Sequence, residues 1–422
     1  MDEAGRSTLA PARLPLPIRA MNRMGPLLAR ARVFPARLEP EALLDEAARA
    51  AGCDDFGPDE FREGYERLVA SLEGDAALTP FGRFFAKRQL MELLTQRLAL
   101  VDWRKRHPEV TREAIARPLV VMGLPRTGTT ILYGLLAQDP AHRSPLSWEV
   151  DDPCPPPEAA TYDVDPRIRR TEKRFAQLRG LAPTFQAIHP IGALLPQECI
   201  VLTASAFLSI RFEMCFDVAA YQRWIVGADL APAYRWHRAF LQHLQSRHRR
   251  ERWVLKSPGH LGPVAAMMAE YPDAMVVQTH RDPRKVVPSV SSLEYAMRCV
   301  STAAPDAHAL GRQQLWLWST YLQQGLEARA ALPQHAGQFL DLHFHEIAAD
   351  PLASVARIYD HFGLALSAEA EARMRAFLAA NPRDAHGTHR YTLGMFGLQS
   401  DEVDAAFKGY CERFGVVPER AG

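Results

Sequence analysis

Residues 123–130, with the sequence Gly-Leu-Pro-Arg-Thr-Gly-Thr-Thr, have the spacing of a phosphate-binding loop. The loop follows a short apolar run and precedes a helical pattern, so backbone N–H groups and the positive end of a helix dipole are available to an anion. A nucleotide triphosphatase carries Lys directly after the second glycine, whereas this chain has Thr129 there and a cation earlier, at Arg126. The pattern predicts a site for a terminal phosphate or sulfate without an obligatory magnesium ion.

A second anion anchor is predicted at Arg281, within the sequence Thr-His-Arg-Asp-Pro at 279–283. Arg281 follows an apolar run typical of a buried strand, and Ser289 lies within the next predicted helix. An arginine at a strand end and a hydroxyl on the following helix can hold one phosphate from two sides. An Arg-Asp-Pro turn alone is also typical of a salt-bridged helix start, but two anchors in this order indicate a ligand with two separated phosphates.

Lys256 lies between the two anchors, at the end of the apolar run 253–255. The chain has 44 Arg and only six Lys, and a lysine is rarely buried without a partner. Transfer of a phosphate- or sulfate-type group between two oxygens is catalysed chiefly by positioning and charge neutralisation. We therefore expect Arg126 and Lys256 to hold the transferred group and the leaving phosphate.

These motifs resemble those of the sulfotransferases that use 3′-phosphoadenosine 5′-phosphosulfate. Residues 124–130 are similar to the family's 5′-phosphosulfate loop, in the Pro-Arg-Ser/Thr-Gly-Thr-Thr form found in tyrosylprotein sulfotransferases and many bacterial members. Cytosolic members typically have Lys in place of Arg126. The spacing from Arg281 to Ser289 is similar to that of the family's 3′-phosphate site.

The resemblance implies that this nucleotide is the co-substrate and that no metal ion is required. It implies nucleotide contacts from Gly128, Thr129, Thr130, Arg281 and Ser289. It also implies that Lys256 faces the sulfuryl group. Family members cover the nucleotide with a basic C-terminal segment, and Arg390 is the predicted contact from that segment here.

An alcohol or phenol acceptor needs a base, and three candidates remain open. Glu149 resembles the base of tyrosylprotein sulfotransferases and is the first choice. Glu198 begins an apolar helical stretch, so it also suits a plain helix start. His260 follows Lys256 by four residues, whereas cytosolic sulfotransferases place a histidine two residues after a comparable lysine.

Alternating apolar and helical patterns indicate the elements that must position these residues. Strands are predicted at 119–123, 253–255, 274–277 and 339–342, and helices at 130–138, 261–271, 284–299, 309–331 and 352–362. This alternation predicts an α/β fold, a parallel sheet flanked by helices with a P-loop-like phosphosulfate-binding loop. We divide the chain into a basic, proline-containing arm at 1–39, a helical segment at 40–117 and the α/β domain with its covering segment at 118–422.

The composition of the 422-residue chain argues against several other classes. Its 50 basic and 49 acidic residues give a nearly neutral balance, which argues against a nucleic-acid partner. No apolar run reaches the roughly 18 residues of a membrane span, and the first residues lack a signal-peptide core. Six scattered cysteines without a Cys-x-x-Cys pair favour reduced thiols in a cytoplasm.

The sequence thus predicts an enzyme that transfers a sulfuryl group from the nucleotide to a hydroxyl or amine of a small molecule. The acceptor is not identified by the sequence, and homo-oligomerisation is left open. One alternative is a P-loop nucleotide kinase or triphosphatase, against which the absence of Lys at position 129 counts. The other is a nucleotide-binding module with the same pocket and no working base.

Overall fold

A five-stranded parallel sheet with helices on both faces forms the centre of the protein. The computed structural model describes residues 14–30, 37–181, 191–382 and 391–419. The strands are β1 (Leu119–Gly123), β2 (His142–Arg143), β3 (Arg252–Lys256), β4 (Met275–His280) and β5 (Phe339–His343). The predicted α/β class is therefore confirmed.

Helices make up most of the remaining described structure. They are α1 (Leu16–Arg30), α2 (Pro40–Ala51), α3 (Arg62–Gly74), α4 (Pro80–Arg106), α5 (Thr129–Leu136), α6 (Ser147–Asp151), α7 (Pro166–Leu181), α8 (Cys199–Leu202), α9 (Ala219–Gly227), α10 (Ala231–Gln245), α11 (Val264–Glu270), α12 (Pro283–Ser301), α13 (Ala307–Ala330), α14 (Phe344–Ala349), α15 (Pro351–Phe362), α16 (Ala368–Ala380) and α17 (Ser400–Phe414). The predicted strands and helices of the α/β region are confirmed to within three residues at each end. Within the described ranges, no helix combines the length and the apolar character needed to cross a membrane.

The strand order β2-β3-β1-β4-β5 brings the ends of three strands together. In the central strand β1, Val121 pairs with Lys256 of β3, and Gly123 pairs with Thr279 of β4. Because these strands are parallel, their carboxyl ends lie at one edge of the sheet, where open α/β folds bind ligands. The predicted loop, Lys256 and Arg281 all lie at this edge.

Strand β1 is buried on both faces, as its continuous apolar sequence predicts. Val120 and Met122 belong to one hydrophobic cluster, and Leu119 and Val121 belong to another. All four side chains are at most 1% exposed. This two-sided packing fixes the strand that carries the 123–130 loop.

Helices α2, α3 and α4 form the predicted N-terminal helical segment. Thr79 caps α4 by accepting a hydrogen bond from the Gly82 N–H at 3.0 Å, and Pro80 is the first helical residue. Leu94 of α4 lies in the same hydrophobic cluster as Val120 of β1. The segment therefore supports one face of the sheet, and the proposed division of the chain stays a prediction.

Candidate active site

The 123–130 loop leads from β1 into α5 through an unusual backbone conformation. Gly128 caps α5 with a φ of 88°, and Arg126 has a φ of 68°. Positive φ is costly for a residue other than glycine and occurs preferentially at functional sites. Because α5 begins at Thr129, the N–H groups of Thr129 and Thr130 lie in the first helical turn, which has no intrahelical acceptors. The loop therefore presents backbone donors at a helix N-terminus.

Thr127 ties this loop to the neighbouring strand β4. Its hydroxyl donates to the Leu124 carbonyl at 2.6 Å and accepts from the Thr279 hydroxyl, also at 2.6 Å. A Cβ atom on Gly123 would lie 2.1 Å from Thr279 Oγ1 and 2.9 Å from Thr127 Oγ1. Glycine is thus required at position 123 by the close approach of β4.

Arg281 connects the second anchor to the first. Its Nη1 donates to the Arg126 carbonyl at 2.8 Å, and its guanidinium carbon lies 3.8 Å from the centre of the Phe344 ring. Its Nε and Nη2 donate to the two carboxylate oxygens of Glu419, at 2.7 and 3.0 Å. Both predicted anchors therefore lie at one edge of the sheet.

Lys256 forms an ion pair with Glu198 at the carboxyl end of β3. The two side chains are 4% and 15% exposed. Nζ of Lys256 also lies 5.9 Å from the ring centre of Tyr133, on α5. A lysine in contact with a carboxylate has the chemistry to neutralise a transferred anionic group and to accept a proton.

Glu149, the first choice for the base, is enclosed by partners of its own. Its Oε2 accepts from Arg143 Nη2 at 2.6 Å, and its Oε1 accepts from the Leu146 N–H at 2.9 Å and the Tyr162 hydroxyl at 3.0 Å. The Glu149 side chain is 0% exposed and that of Arg143 is 3% exposed. With both carboxylate oxygens hydrogen-bonded in the protein interior, the geometry favours a structural role for Glu149.

His260 is also a weak candidate for the base. Its Nδ1 shares a hydrogen bond with the Tyr234 hydroxyl at 2.7 Å. Burial lowers the pKa of the His260 imidazole to about 4, and a group with so low a pKa accepts protons poorly near neutral pH. Of the three candidates, Glu198 is the one that the structure places against Lys256.

The other predicted contacts are only partly described by the structure. Ser289 is buried in the second turn of α12, the helix that follows Arg281. Arg390 lies outside the described residues, so its contact with the nucleotide stays a prediction. The described ranges contain no group of three or more His, Cys, Asp or Glu side chains arranged to bind a metal ion.

Comparison with known proteins identifies the family of the chain. A model of the sulfotransferase family matches residues 118–368, which extend from β1 to the first residue of α16. The chain belongs to the sulfotransferase family. The match includes the 123–130 loop, Lys256 and Arg281, and it decides against a nucleotide kinase or triphosphatase.

Two solved sulfotransferases share the architecture over most of their length. STF1 from Mycobacterium tuberculosis is 35% identical, and the alignment covers 88% of this chain and 99% of that one, with a TM-score of 0.79. STF9 from Mycobacterium avium is 30% identical, with coverages of 92% and 100% and a TM-score of 0.83. A third relative is omega-hydroxy-beta-dihydromenaquinone-9 sulfotransferase Stf3 from Mycobacterium bovis, 26% identical over 321 residues, or 72% of this chain and 77% of that protein.

The pairing of Glu198 with Lys256 and of Glu419 with Arg281 in this sulfotransferase was not predicted from the sequence. Glu198 and Lys256 are 58 residues apart, and Glu419 and Arg281 are 138 residues apart. No local pattern connects residues at such separations. The pairing of Glu149 with Arg143 could have been inferred from the sequence, because the two opposite charges are only six residues apart.

Proposed function

We propose that this sulfotransferase transfers the sulfuryl group of 3′-phosphoadenosine 5′-phosphosulfate to a hydroxyl of an uncharged, largely apolar molecule in the cytoplasm. The main support is the contact between Lys256 and Glu198 at the edge of the sheet that also holds the 123–130 loop and Arg281. The adjacent strands β3, β1 and β4 thereby place an acid–base pair and two anion anchors at one edge, with the 123–130 loop in the middle. The six cysteines are thiols, which supports a reducing compartment.

The two anchors suit the two ends of the proposed donor. We assign the 5′-phosphosulfate to the start of α5, at Gly128, Thr129 and Thr130, and the 3′-phosphate to Arg281 and Ser289. Arg281 already donates two parallel hydrogen bonds to a carboxylate, and the same fork geometry binds phosphate. Arg390 remains the proposed contact of the covering segment.

The proposed reaction is an in-line transfer of SO3 from one oxygen to another. Glu198 accepts the proton of the acceptor hydroxyl as the acceptor oxygen bonds to sulfur, while the bond between sulfur and the oxygen of the 5′-phosphate breaks. Lys256 and Arg126 neutralise the negative charge on the sulfuryl oxygens and on the leaving phosphate. The products are a sulfate ester and adenosine 3′,5′-bisphosphate, and Glu198 then releases the proton to solvent.

A cavity lined in part by Cys199 and Ser257, the residues that follow Glu198 and Lys256 in sequence, indicates the acceptor class. Its walls include Cys199, Ile200, Leu208, Ile210, Ile225 and Ser257. His260 and Tyr321 also line it, and the His260 Nε2 and the Tyr321 hydroxyl have no hydrogen-bond partner within the described residues. The other polar side chains of the lining, Thr203, Ser209 and Tyr234, are also uncharged. A largely apolar lining without a charged side chain favours an apolar alcohol, a class that includes the hydroxylated menaquinone named for the relative Stf3.

Incubation with the phosphosulfate donor and a panel of acceptors tests the proposed function. The panel contains alcohols of increasing apolar chain length, phenols, amines and a charged alcohol, and mass spectrometry measures the products. We expect adenosine 3′,5′-bisphosphate and a sulfate ester, formed fastest with uncharged apolar alcohols. Transfer from ATP or GTP instead would contradict the donor assignment, and tight donor binding without any product would favour a nucleotide-binding module.

The substitution Glu198→Gln is expected to lower kcat by about 10²–10⁴-fold because an amide cannot accept the acceptor proton. The matched variant Glu149→Gln should keep near-full kcat per folded molecule. It should instead lower the free energy of unfolding by about 3 kcal/mol, since Arg143 then stays buried without a counter-charge. Steady-state kinetics and denaturant unfolding separate the two effects. An inactive but stable Glu149→Gln enzyme would return the role of base to Glu149.

The substitution Arg281→Ala is expected to weaken donor binding by about 10–100-fold, the loss typical of charged hydrogen bonds. Calorimetry with adenosine 3′,5′-bisphosphate measures this loss, and kcat should change only a few-fold. Adenosine 5′-monophosphate lacks the 3′-phosphate, so its affinity should hardly change. Arg373→Ala removes an arginine whose side chain is 55% exposed and serves as control. Equal weakening for both nucleotides would exclude Arg281 as the 3′-phosphate anchor.

A further inference from the structure

Residues 415–419 fold back from the end of α17 onto the second anchor. Gly415 reverses the chain with a φ of 63°, and the Val416 N–H donates to a carbonyl in the last turn of α17 at 3.0 Å. The Glu419 N–H then donates to Asp282 Oδ2 at 2.8 Å. The segment is therefore held at both ends, with its last described residue beside Arg281.

Glu419 meets Arg281 in the geometry with which arginine binds a phosphate. Two parallel hydrogen bonds of 2.7 and 3.0 Å join the guanidinium fork to the two carboxylate oxygens, as in bidentate recognition of oxyanions. Asp282, which accepts the Glu419 N–H, positions Glu419. Asp282 is itself held in place, since its other carboxylate oxygen accepts the Arg284 N–H at the start of α12. Phe344 stacks on the same guanidinium group and limits the directions from which an anion can approach.

We propose that Glu419 competes with the 3′-phosphate of the nucleotide for Arg281 and acts as a built-in regulator of nucleotide binding. The inference rests on the proposed function, because it takes Arg281 as the 3′-phosphate anchor. The carboxylate and the phosphate need the same two N–H donors, so the 3′-phosphate binds only when Glu419 leaves. When the bisphosphate product dissociates, Glu419 returns to the fork and slows the rebinding of product.

The competition is selective for nucleotides that carry a 3′-phosphate. The Arg281 side chain is 18% exposed and that of Glu419 is 34% exposed, so water screens the pair and its loss has a modest effect. We expect Glu419→Gln to tighten the binding of adenosine 3′,5′-bisphosphate by about fivefold. Adenosine 5′-monophosphate should bind the variant and the wild-type chain equally.

Calorimetry on the full chain tests this competition with three variants. Glu412→Gln is the matched control, because the Glu412 side chain is 67% exposed and pairs with Lys408 on the same helix at 3.9 Å. Tighter bisphosphate binding in Glu419→Gln alone supports the proposal. Unchanged or weaker binding in Glu419→Gln, while Arg281→Ala still weakens it, overturns the competition and leaves the proposed function intact. If Arg281→Ala has no effect, the assignment of the donor site fails and the competition fails with it.

Hydrogen exchange gives a second readout that does not depend on substitution. Saturating adenosine 3′,5′-bisphosphate should speed exchange in residues 415–419, because the Glu419 N–H loses its bond to Asp282. The same nucleotide should slow exchange in the 123–130 loop. Adenosine 5′-monophosphate should slow exchange in the loop and leave residues 415–419 unchanged. Unchanged or slower exchange in residues 415–419 with the bisphosphate would overturn the displacement of Glu419.

Discussion

Replacing Lys256 with alanine is expected to lower kcat by about 10²–10³-fold, the range seen when one preorganised donor to a developing charge is removed. The Lys256 side chain is 4% exposed, so water screens its charge little. Lys256 lies on β3, next to β1 and its 123–130 loop, so this charge lies at the end of the donor where we place the sulfuryl group. The KM for the donor should change only a few-fold, because the 123–130 loop and Arg281 still bind the phosphates.

Lys408→Ala is the control for this prediction, since the Lys408 side chain is 74% exposed on α17. Initial rates at several donor concentrations separate kcat from KM. The double variant Lys256→Ala/Glu198→Gln should lose less than the product of the two single losses, as groups that act as a unit do. A wild-type kcat in Lys256→Ala would remove the lysine from the mechanism.

The substitution Gly123→Ala is expected to weaken donor binding by at least about 100-fold, the cost of moving a binding group by about 1 Å. The new Cβ would lie 2.1 Å from Thr279 Oγ1 and 2.8 Å from the Thr279 carbonyl oxygen. Because β1 is packed on both faces, the strain must be relieved by the loop or by β4. The free energy of unfolding should also fall by about 1–3 kcal/mol, as in other overpacked interiors.

Gly74→Ala is the matched control, because no atom lies within 4 Å of the position of its Cβ at the end of α3. Calorimetry with adenosine 3′,5′-bisphosphate and unfolding in urea measure both effects of the Gly123 substitution. Wild-type affinity in Gly123→Ala would show that the close contact with Thr279 does not shape the phosphate-binding loop.

Most of the α/β fold could be predicted because its strands are buried on both faces. A run such as 119–123 is apolar at every position before its glycine, and this pattern suits a central parallel strand. Strand β2 was missed because two residues show no periodicity. Its residues His142 and Arg143 are 5% and 4% exposed, and their burial depends on partners distant in sequence, such as the Leu244 carbonyl that accepts from Arg143 Nη1.

The places of the 123–130 loop and Arg281 at one edge of the sheet could be predicted because each follows a predicted strand, and their binding of anions stays a prediction. The base could not be fixed in the same way. Glu149 and Glu198 both lie at the start of a short helical stretch, so local sequence does not distinguish them. Tertiary packing does, because it places Arg143 against Glu149 and Lys256 against Glu198. Which acid meets which cation depends on segments brought together only by the complete fold.

The hydrogen bonds from Arg281 to the Arg126 carbonyl and between Thr127 and Thr279 span 155 and 152 residues. During synthesis, a chain that already contains the 123–130 loop therefore lacks the other half of the proposed donor site until β4 has joined the sheet. Such long-range pairings form late, after the intervening chain has been ordered. Nucleotide binding should accordingly mark the completion of folding, and because the ligand binds the finished fold alone, it stabilises that state by mass action. A chain that has not completed folding would therefore not bind the nucleotide donor that folded enzyme molecules use.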